Sequence, residues 1–401
     1  MGKVYEVKYE VVIVGGGSAG ISVAARLVKG APELKEKIVI VDPAKKHYYQ
    51  PLWTLAGAGA VKKEVTEREQ KSLIPDGVDL IQEAVTSIDP DANSLTAGKS
   101  TKIHYDYLVM AAGIQINWDK VKGLKEAIGK DGVCSNYSYD YVDSTWESIQ
   151  NFKGGNAIFT HPNTPIKCGG APQKIMYLAD DAFRKADVRD KSQIIFASAS
   201  DSIFAVKKYA NTLEKVIARK GITTKYKMNL IEVDSANKLA VFENSGTGER
   251  ERIPYNMLHV VPPMSAPDFI AKSKLADAGG WVDVDSSTLQ SRKYSNVFGV
   301  GDCANLPTSK TGAAIRKQAP VAAGNLLSVM KSQPLKNTYD GYTSCPLITG
   351  YNKLVLAEFL YENKPAETFP FDQSKERFSM YVLKKNILPV MYWKGMLKGI
   401  M

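Results

Sequence analysis

The stretch Val11-Val-Ile-Val-Gly-Gly-Gly-Ser-Ala-Gly20 decides the fold of this chain. Four β-branched residues in a row read as a strand buried on both faces. The turn after it carries Gly15, Gly17 and Gly20 at G-x-G-x-x-G spacing, and Ile21-Ser-Val-Ala-Ala-Arg-Leu-Val28 opens a helix. Gly15 permits the tight turn, Gly17 lets a pyrophosphate approach the backbone, and Gly20 lets the helix pack on the strand. Ser18 and Ala19 lie in the same turn, at a helix N-terminus whose free N–H groups and positive dipole end favour phosphate. A second strand, Lys37-Ile-Val-Ile-Val41, ends in Asp42, where a carboxylate can accept from ribose hydroxyls. A glycine-rich turn that holds no nucleotide is the alternative. The ordered series of strand, glycines, helix, strand and acid speaks against it.

At 401 residues the chain exceeds one ordinary core, so two or three domains are expected. The 44% hydrophobic content supplies ample material for them. A net charge of +10 points to nucleic acid, an anionic membrane surface or acidic small molecules. The basic residues are scattered with no arginine-rich block, which disfavours nucleic acid. The first strand begins within about ten residues, with no apolar signal core and no Arg/Ser-rich presequence ahead of it. No uncharged apolar run approaches the roughly 20 residues a bilayer span needs. Four cysteines, Cys134, Cys168, Cys303 and Cys345, lie far apart without C-x-x-C. That is too sparse for a disulfide scaffold and lacks metal-site spacing, so no metal is expected.

Further along, Tyr105-Asp-Tyr-Leu-Val-Met-Ala-Ala-Gly113 is a strand ending in small residues. It resembles the segment that closes the first nucleotide-binding lobe of two-dinucleotide-domain flavoproteins. Tyr294-Ser-Asn-Val-Phe-Gly-Val-Gly-Asp-Cys303 resembles their second flavin signature, in which a strand delivers Asp302 toward the cofactor. Three signatures in that order imply FAD rather than NAD in the first site, with backbone near Val85 facing the adenine.

Such flavoproteins carry a second Rossmann unit for a nicotinamide, and the insert is present here. Two segments could hold its glycine loop. After Asn156-Ala-Ile-Phe-Thr-His161, prolines and Cys168 occupy the turn. After Gln193-Ile-Ile-Phe-Ala197, Ser198, Ser200 and Asp201 stand where glycines should. A Cβ at the close-approach position and a carboxylate beside a pyrophosphate both oppose dinucleotide binding. The scaffold is there without its phosphate grip, so the electron donor is expected not to be a nicotinamide.

Cys168 sits in Pro165-Ile-Lys-Cys-Gly-Gly-Ala-Pro172, a loop before a helix over 173–184. A thiol ahead of a helix N-terminus with Lys167 and Lys174 near in sequence favours its thiolate. Cys345, in Tyr342-Thr-Ser-Cys-Pro-Leu-Ile-Thr-Gly350, also reads as a loop. Cys134 and Cys303 fit inert buried positions better. Four cysteines allow three full connectivities, so the pairing stays open. The tail from Phe378 to Met401 mixes Met, Leu, Tyr and Trp with Lys384, Lys385, Lys394 and Lys398, and Pro389 is expected to break it into two short helices. That pattern suits either a monotopic membrane anchor or a pair of core helices.

At these residues the chain resembles the sulfide:quinone oxidoreductase family, in its mitochondrial branch and bacterial relatives. The carrying segments are the Gly15–Gly20 turn, His47-Tyr-Tyr-Gln-Pro-Leu52, Thr164–Lys174, Gly301–Thr311, Tyr342–Leu347 and Thr368–Arg377. The resemblance implies an α/β fold of two Rossmann-like domains plus C-terminal membrane-associating helices. It implies a first FAD segment over 1–114, an NAD-like domain over 115–290, a second FAD segment over 291–335, and a redox-cysteine, quinone and membrane region over 336–401. It makes Cys168 and Cys345 the redox pair. Gly15 to Gly20, Asp42, Gln50, Val85, Gly113, Asp302 and Lys310 become flavin contacts, and Lys174 and Lys384 cations at the mouth of an acceptor channel. The implied partners are hydrogen sulfide, a membrane quinone such as ubiquinone, and glutathione, sulfite or coenzyme A as sulfur acceptor. The implied location is peripheral on a mitochondrial or bacterial inner membrane, and the oligomeric state, a homodimer included, is left open. A type II NADH:quinone dehydrogenase is the nearest alternative, distinguished by an intact second glycine loop and no cysteine pair.

Overall fold

A computed structural model describes residues 5–401. The strand Tyr5–Val14 forms as read, and Val11 to Val14 are almost wholly buried. It lies between Ile38–Val41 and Thr101–Met110, parallel to both, and Val78–Ile81 extends the sheet beyond Ile38–Val41. The far edge of Thr101–Met110 is shared. Ser94–Ala97 pairs antiparallel with its first residues, and Val297–Gly299 pairs parallel with Leu108–Met110. Two stretches almost 190 residues apart therefore complete one sheet.

A second, all-parallel sheet runs in the order Val133–Cys134, Met257–His259, Gly155–His161, Ser192–Ser198, Thr223–Tyr226. The helices Ala171–Lys185 and Lys207–Lys220 cross over between its strands. The antiparallel strands Met228–Asp234, Leu239–Asn244 and Arg250–Pro254 form an excursion before Met257–His259 returns to the sheet. The first sheet has the same plan, with its antiparallel excursion ahead of Thr101–Met110. The topological counterpart of Tyr5–Val14 is thus Gly155–His161. The counterpart of the Gly15–Gly20 turn is therefore residues 162–170, the turn that holds Cys168. The serine-rich turn after Ser192–Ser198 belongs to the second crossover, where no pyrophosphate loop is required.

Beyond the sheets, Thr343–Gly350 and Lys353–Phe359 form an antiparallel hairpin in which Cys345 pairs with Ala357. The expectation of a loop around Cys345 is corrected: it is a strand residue with no exposed surface. A two-stranded sheet has only edges, so Pro346 costs no ladder bond that a third strand would need. The hairpin is tied to the helix Ala171–Lys185. Asp181 accepts from the Tyr351 N–H at 2.8 Å, and the neighbouring Asp180, fully buried, is neutralised by Arg184, Arg189 and Lys220.

The tail also departs from expectation. Pro389 does not split it; residues 378–396 run as one helical path. A π turn over Leu383–Ile387 precedes the proline, and this wider turn leaves room for a ring that would clash in a regular α-helix. Tyr392, Met396 and Leu397 are buried against the first Rossmann unit, while Phe378, Ile387, Val390 and Ile400 face outward. Among the described residues no helix is long and apolar enough to cross a membrane.

Candidate functional site

The glycine turn is built as the sequence requires. Gly15 has φ +106°, and a Cβ on Gly20 would collide with the Gly15 carbonyl oxygen. A Cβ on Gly17 would meet nothing within 4 Å, so the backbone there is open to a ligand. Gly17 also caps the helix Ser18–Gly30 with no side chain bonded to its first N–H groups. The turn is pinned from behind. Asp42 accepts from the Gly16 N–H at 2.5 Å and from the Ala44 N–H at 2.7 Å. A carboxylate has about four acceptor positions, so two remain for ribose hydroxyls.

In front of this turn opens a cavity of about 510 Å³, within the size range of small-molecule sites. Gly17, Ser18 and Ala19 of the turn line it, as do Gln50, Gly113, Asp302 and Lys310, and Cys168 with Lys174 and Lys384. Nine of the expected flavin contacts and acceptor cations thus share one cavity with Cys168. Gly15, Gly20, Asp42 and Val85 stand outside the lining, with Val85 buried in the strand Val85–Asp89. Gly113 adopts φ +72° with nothing where its Cβ would be, a second open backbone position. Burial pushes the Asp302 carboxyl above the usual range, against the pull of Lys310 and Lys167.

The helix Gly312–Met330 also presents its first turn to the cavity. Thr311 caps it, accepting from the Ala314 N–H at 3.1 Å and sharing a 2.8 Å bond with the Thr343 hydroxyl. Thr311→Ala is expected to lower the free energy of unfolding in urea by about 1 kcal/mol.

The two cysteines are brought together. Both are free thiols, and their side chains lie within hydrogen-bond reach. Cys168 has φ +58°, an unusual conformation for a residue with a side chain. Its N–H donates to the Lys310 carbonyl at 2.8 Å, which fixes the loop against the flavin-side segment. Gly170 lets the helix start lie on the hairpin: a Cβ there would collide with Leu347 and stand 3.6 Å from Cys345 Cβ. The Lys174 ammonium donates to Cys168 Sγ at 3.2 Å. The Cys345 hydrogen bond first, then Lys174 and Lys384, hold Cys168 well below the usual thiol range despite its burial. Cys345 moves the other way, raised by its bond to Cys168, by burial and by the charge on that sulfur. The opposed shifts favour a thiolate at Cys168 and a protonated thiol at Cys345.

Lys167, Lys174 and Lys384 line the cavity beside these residues. Lys167 does not reach the thiolate; its ammonium bonds Gln50 Oε1 at 2.7 Å and lies 5.0 Å from the Trp53 ring centre. Lys174 and Lys384 are only 3% and 4% exposed, so they sit against the sulfur pair, deeper than a channel mouth. Cys134 and Cys303 are fully buried, with thiols pushed up to about 12 and about 11 by burial. The sequence reading missed Tyr137, Tyr342, Met391 and Tyr392, which also line the cavity. Only the tail residues carried a signal, as apolar positions with two possible uses.

Two Rossmann-like sheets, an open phosphate turn and a cysteine pair define an oxidoreductase of the two-dinucleotide-domain class. Residues 9–144 match the family model described as pyridine nucleotide-disulphide oxidoreductase. The mitochondrial sulfide:quinone oxidoreductase of Mus musculus is 50% identical over 392 residues, covering 98% of this chain and 87% of the mouse protein. That of Dictyostelium discoideum is 49% identical, covering 97% and 86%. The chain belongs to the sulfide:quinone oxidoreductase family. The crystal structure of the Aquifex aeolicus sulfide:quinone oxidoreductase shares the fold, with a TM-score of 0.83 at 22% identity over 98% of this chain and 92% of that one.

Proposed function

We propose that this chain oxidises hydrogen sulfide with Cys168 and Cys345 and passes two electrons through FAD to a membrane quinone. The observation that carries the reading is Cys168, standing in the turn where a second dinucleotide would otherwise bind, with Cys345 of the hairpin within hydrogen-bond reach of it. Family membership supports the overall reaction, and the geometry supports the division of labour.

The residues fit FAD. Gly17 and the uncapped start of the helix Ser18–Gly30 would hold the pyrophosphate, Asp42 the adenosine ribose, and Gln50, Gly113, Asp302 and Lys310 the flavin half. When bound, the flavin supplies a two-electron acceptor that a quinone can reoxidise. The protein's own part starts from a Cys168–Cys345 disulfide. Hydrosulfide attacks the Cys168 sulfur, a sulfur–sulfur bond forms there, and the Cys345 sulfur leaves with the electron pair as thiolate. Cys168 then carries a persulfide. Lys174 and Lys384 neutralise the anionic sulfurs and attract a nucleophilic acceptor such as glutathione, sulfite or coenzyme A, which takes the outer sulfur and frees the Cys168 thiolate. Cys168 and Cys345 then re-form their disulfide, giving up the two electrons for which the flavin would be the acceptor.

The tail supports the quinone side. Leu383, Leu388, Met391 and Met396 line the cavity, while Phe378, Ile387, Val390 and Ile400 are exposed together with Lys394 and Lys398. Apolar residues among lysines suit the interface of an anionic membrane, from which a lipid-soluble quinone could enter.

The test is anaerobic. Sulfide is expected to bleach the flavin absorbance of the purified holoenzyme, a soluble quinone to restore it, and NADH to do neither. Bleaching by NADH and not by sulfide would reject the proposal in favour of a nicotinamide-dependent quinone reductase.

A further inference from the structure

The hydroxyl of Tyr137 is a polar group that nothing described so far uses. Tyr137 is 3% exposed, and its Oη has no hydrogen-bond partner among the described residues. Its ring packs with Ile166, Ala171, Val261 and Met264 in a small apolar cluster, against which Cys168 is seated. The same residue lines the cavity together with Cys168 and Lys174. An unpaired buried hydroxyl is costly, so a protein that keeps one at its reactive sulfur has a use for it in a state with one more atom.

We infer that the Tyr137 hydroxyl is the hydrogen-bond donor to the outer sulfur, receiving the incoming hydrosulfide and then holding the terminal atom of the persulfide on Cys168. The inference rests on the proposed sulfide chemistry and adds a residue to it. Burial, together with the charges of Cys168 and Cys345, holds the phenol well above its ordinary range, so it stays an O–H donor. The other groups facing these sulfurs are Lys174, Lys384, the Cys345 thiol and the Asp302 carboxyl. Lys174 already bonds the inner sulfur at 3.2 Å. Tyr137 approaches from a different element and needs no partner until the second sulfur arrives.

The test is Tyr137→Phe in the holoenzyme, with three readouts beside wild type. The thermal midpoint should hold or rise, because the change removes an unpaired buried hydroxyl. Sulfide-dependent flavin reduction at neutral pH should slow by roughly 10-fold, the worth of one hydrogen bond to a charged acceptor. The persulfide, followed by mass spectrometry of its alkylation product, should need a pH roughly one unit higher to react, since its anion has lost a donor. A slower enzyme with the shifted pH profile supports the inference. An unchanged profile overturns it, whether the rate is unchanged or falls together with the thermal midpoint. If sulfide fails to bleach the wild type itself, the proposed function falls and this inference with it.

Discussion

Replacing Cys345 with serine is expected to abolish sulfide-dependent reduction of the flavin, a loss on the order of 10³-fold or more, while the protein folds and keeps its FAD. Without Cys345 no disulfide can form, so hydrosulfide has no sulfur–sulfur bond to attack and no leaving group with a thiol's acidity. The flavin-holding groups are untouched: the Gly15–Gly20 turn, Asp42 and Gly113 belong to other elements than the strand Thr343–Gly350. A serine hydroxyl can still donate to the Cys168 sulfur, so Cys168 should remain readily alkylated at neutral pH. Cys168→Ser is expected to lose the reaction equally and to lose that alkylation as well, because Cys345 lies buried with its thiol held protonated. Flavin content, anaerobic bleaching and alkylation by mass spectrometry distinguish the two variants. Turnover within tenfold of wild type in either one would remove the disulfide from the reaction.

The parts of this molecule that the sequence made legible are those written in neighbouring residues. The strand at Val11–Val14, its glycine turn and its helix are local, and their backbone demands appear as residue types at fixed spacing. The loop before the helix Ala171–Lys185 was legible for the same reason, since Pro165, Gly169, Gly170 and Pro172 announce a turn. What could not be read depends on distant pairing. Cys345 looked like a loop residue because of Pro346; only its partner strand Lys353–Phe359 makes it a strand. The equivalence of the Cys168 turn with a phosphate loop follows from strand order, which no local pattern encodes. Tyr137 has an ordinary aromatic identity, and its unpaired hydroxyl becomes visible only when the segments around Ile166 and Val261 enclose it. Pro389 argued for two helices because a proline excludes the regular helix, but a π turn ahead of it escapes that rule. The tail mixes apolar residues and lysines because its one helical path has a packed side and an open one: Tyr392 reaches back to Ser18 Oγ at 2.6 Å while Val390 faces outward.

The second large effect is expected from Lys174→Met. Cys345 is the first cause of the low Cys168 pKa, but the Lys174 ammonium, at 3.2 Å, is the nearest full charge that favours the thiolate. A charge so placed moves a titration by about 1–3 pKa units. Methionine fills similar volume without charge, so the Cys168 pKa should rise. The thiolate is the reactive form, so alkylation of the reduced enzyme at a pH below the new pKa should slow by roughly 10-fold or more, and the acid limb of its profile should move upward. Lys384 acts in the same direction with less force. Burial first, and the Lys174 charge second, push its own pKa down to about 7, against the pull of the cysteine sulfurs. It therefore carries its proton below about pH 7 and releases it above, so its support of the thiolate weakens as the pH rises. The wild-type alkylation profile should accordingly be broader than a single titration, and Lys384→Met should sharpen it while shifting its acid limb upward by less than Lys174→Met does. In Lys174→Met the Lys384 ammonium loses its repulsive neighbour, so its pKa rises and it retains its proton to higher pH. The two lysines thus partly replace one another, and the double variant should lose more than the two single losses combined. Simple additivity would mean that the ammonium groups act on Cys168 independently, against their closeness in the cavity wall.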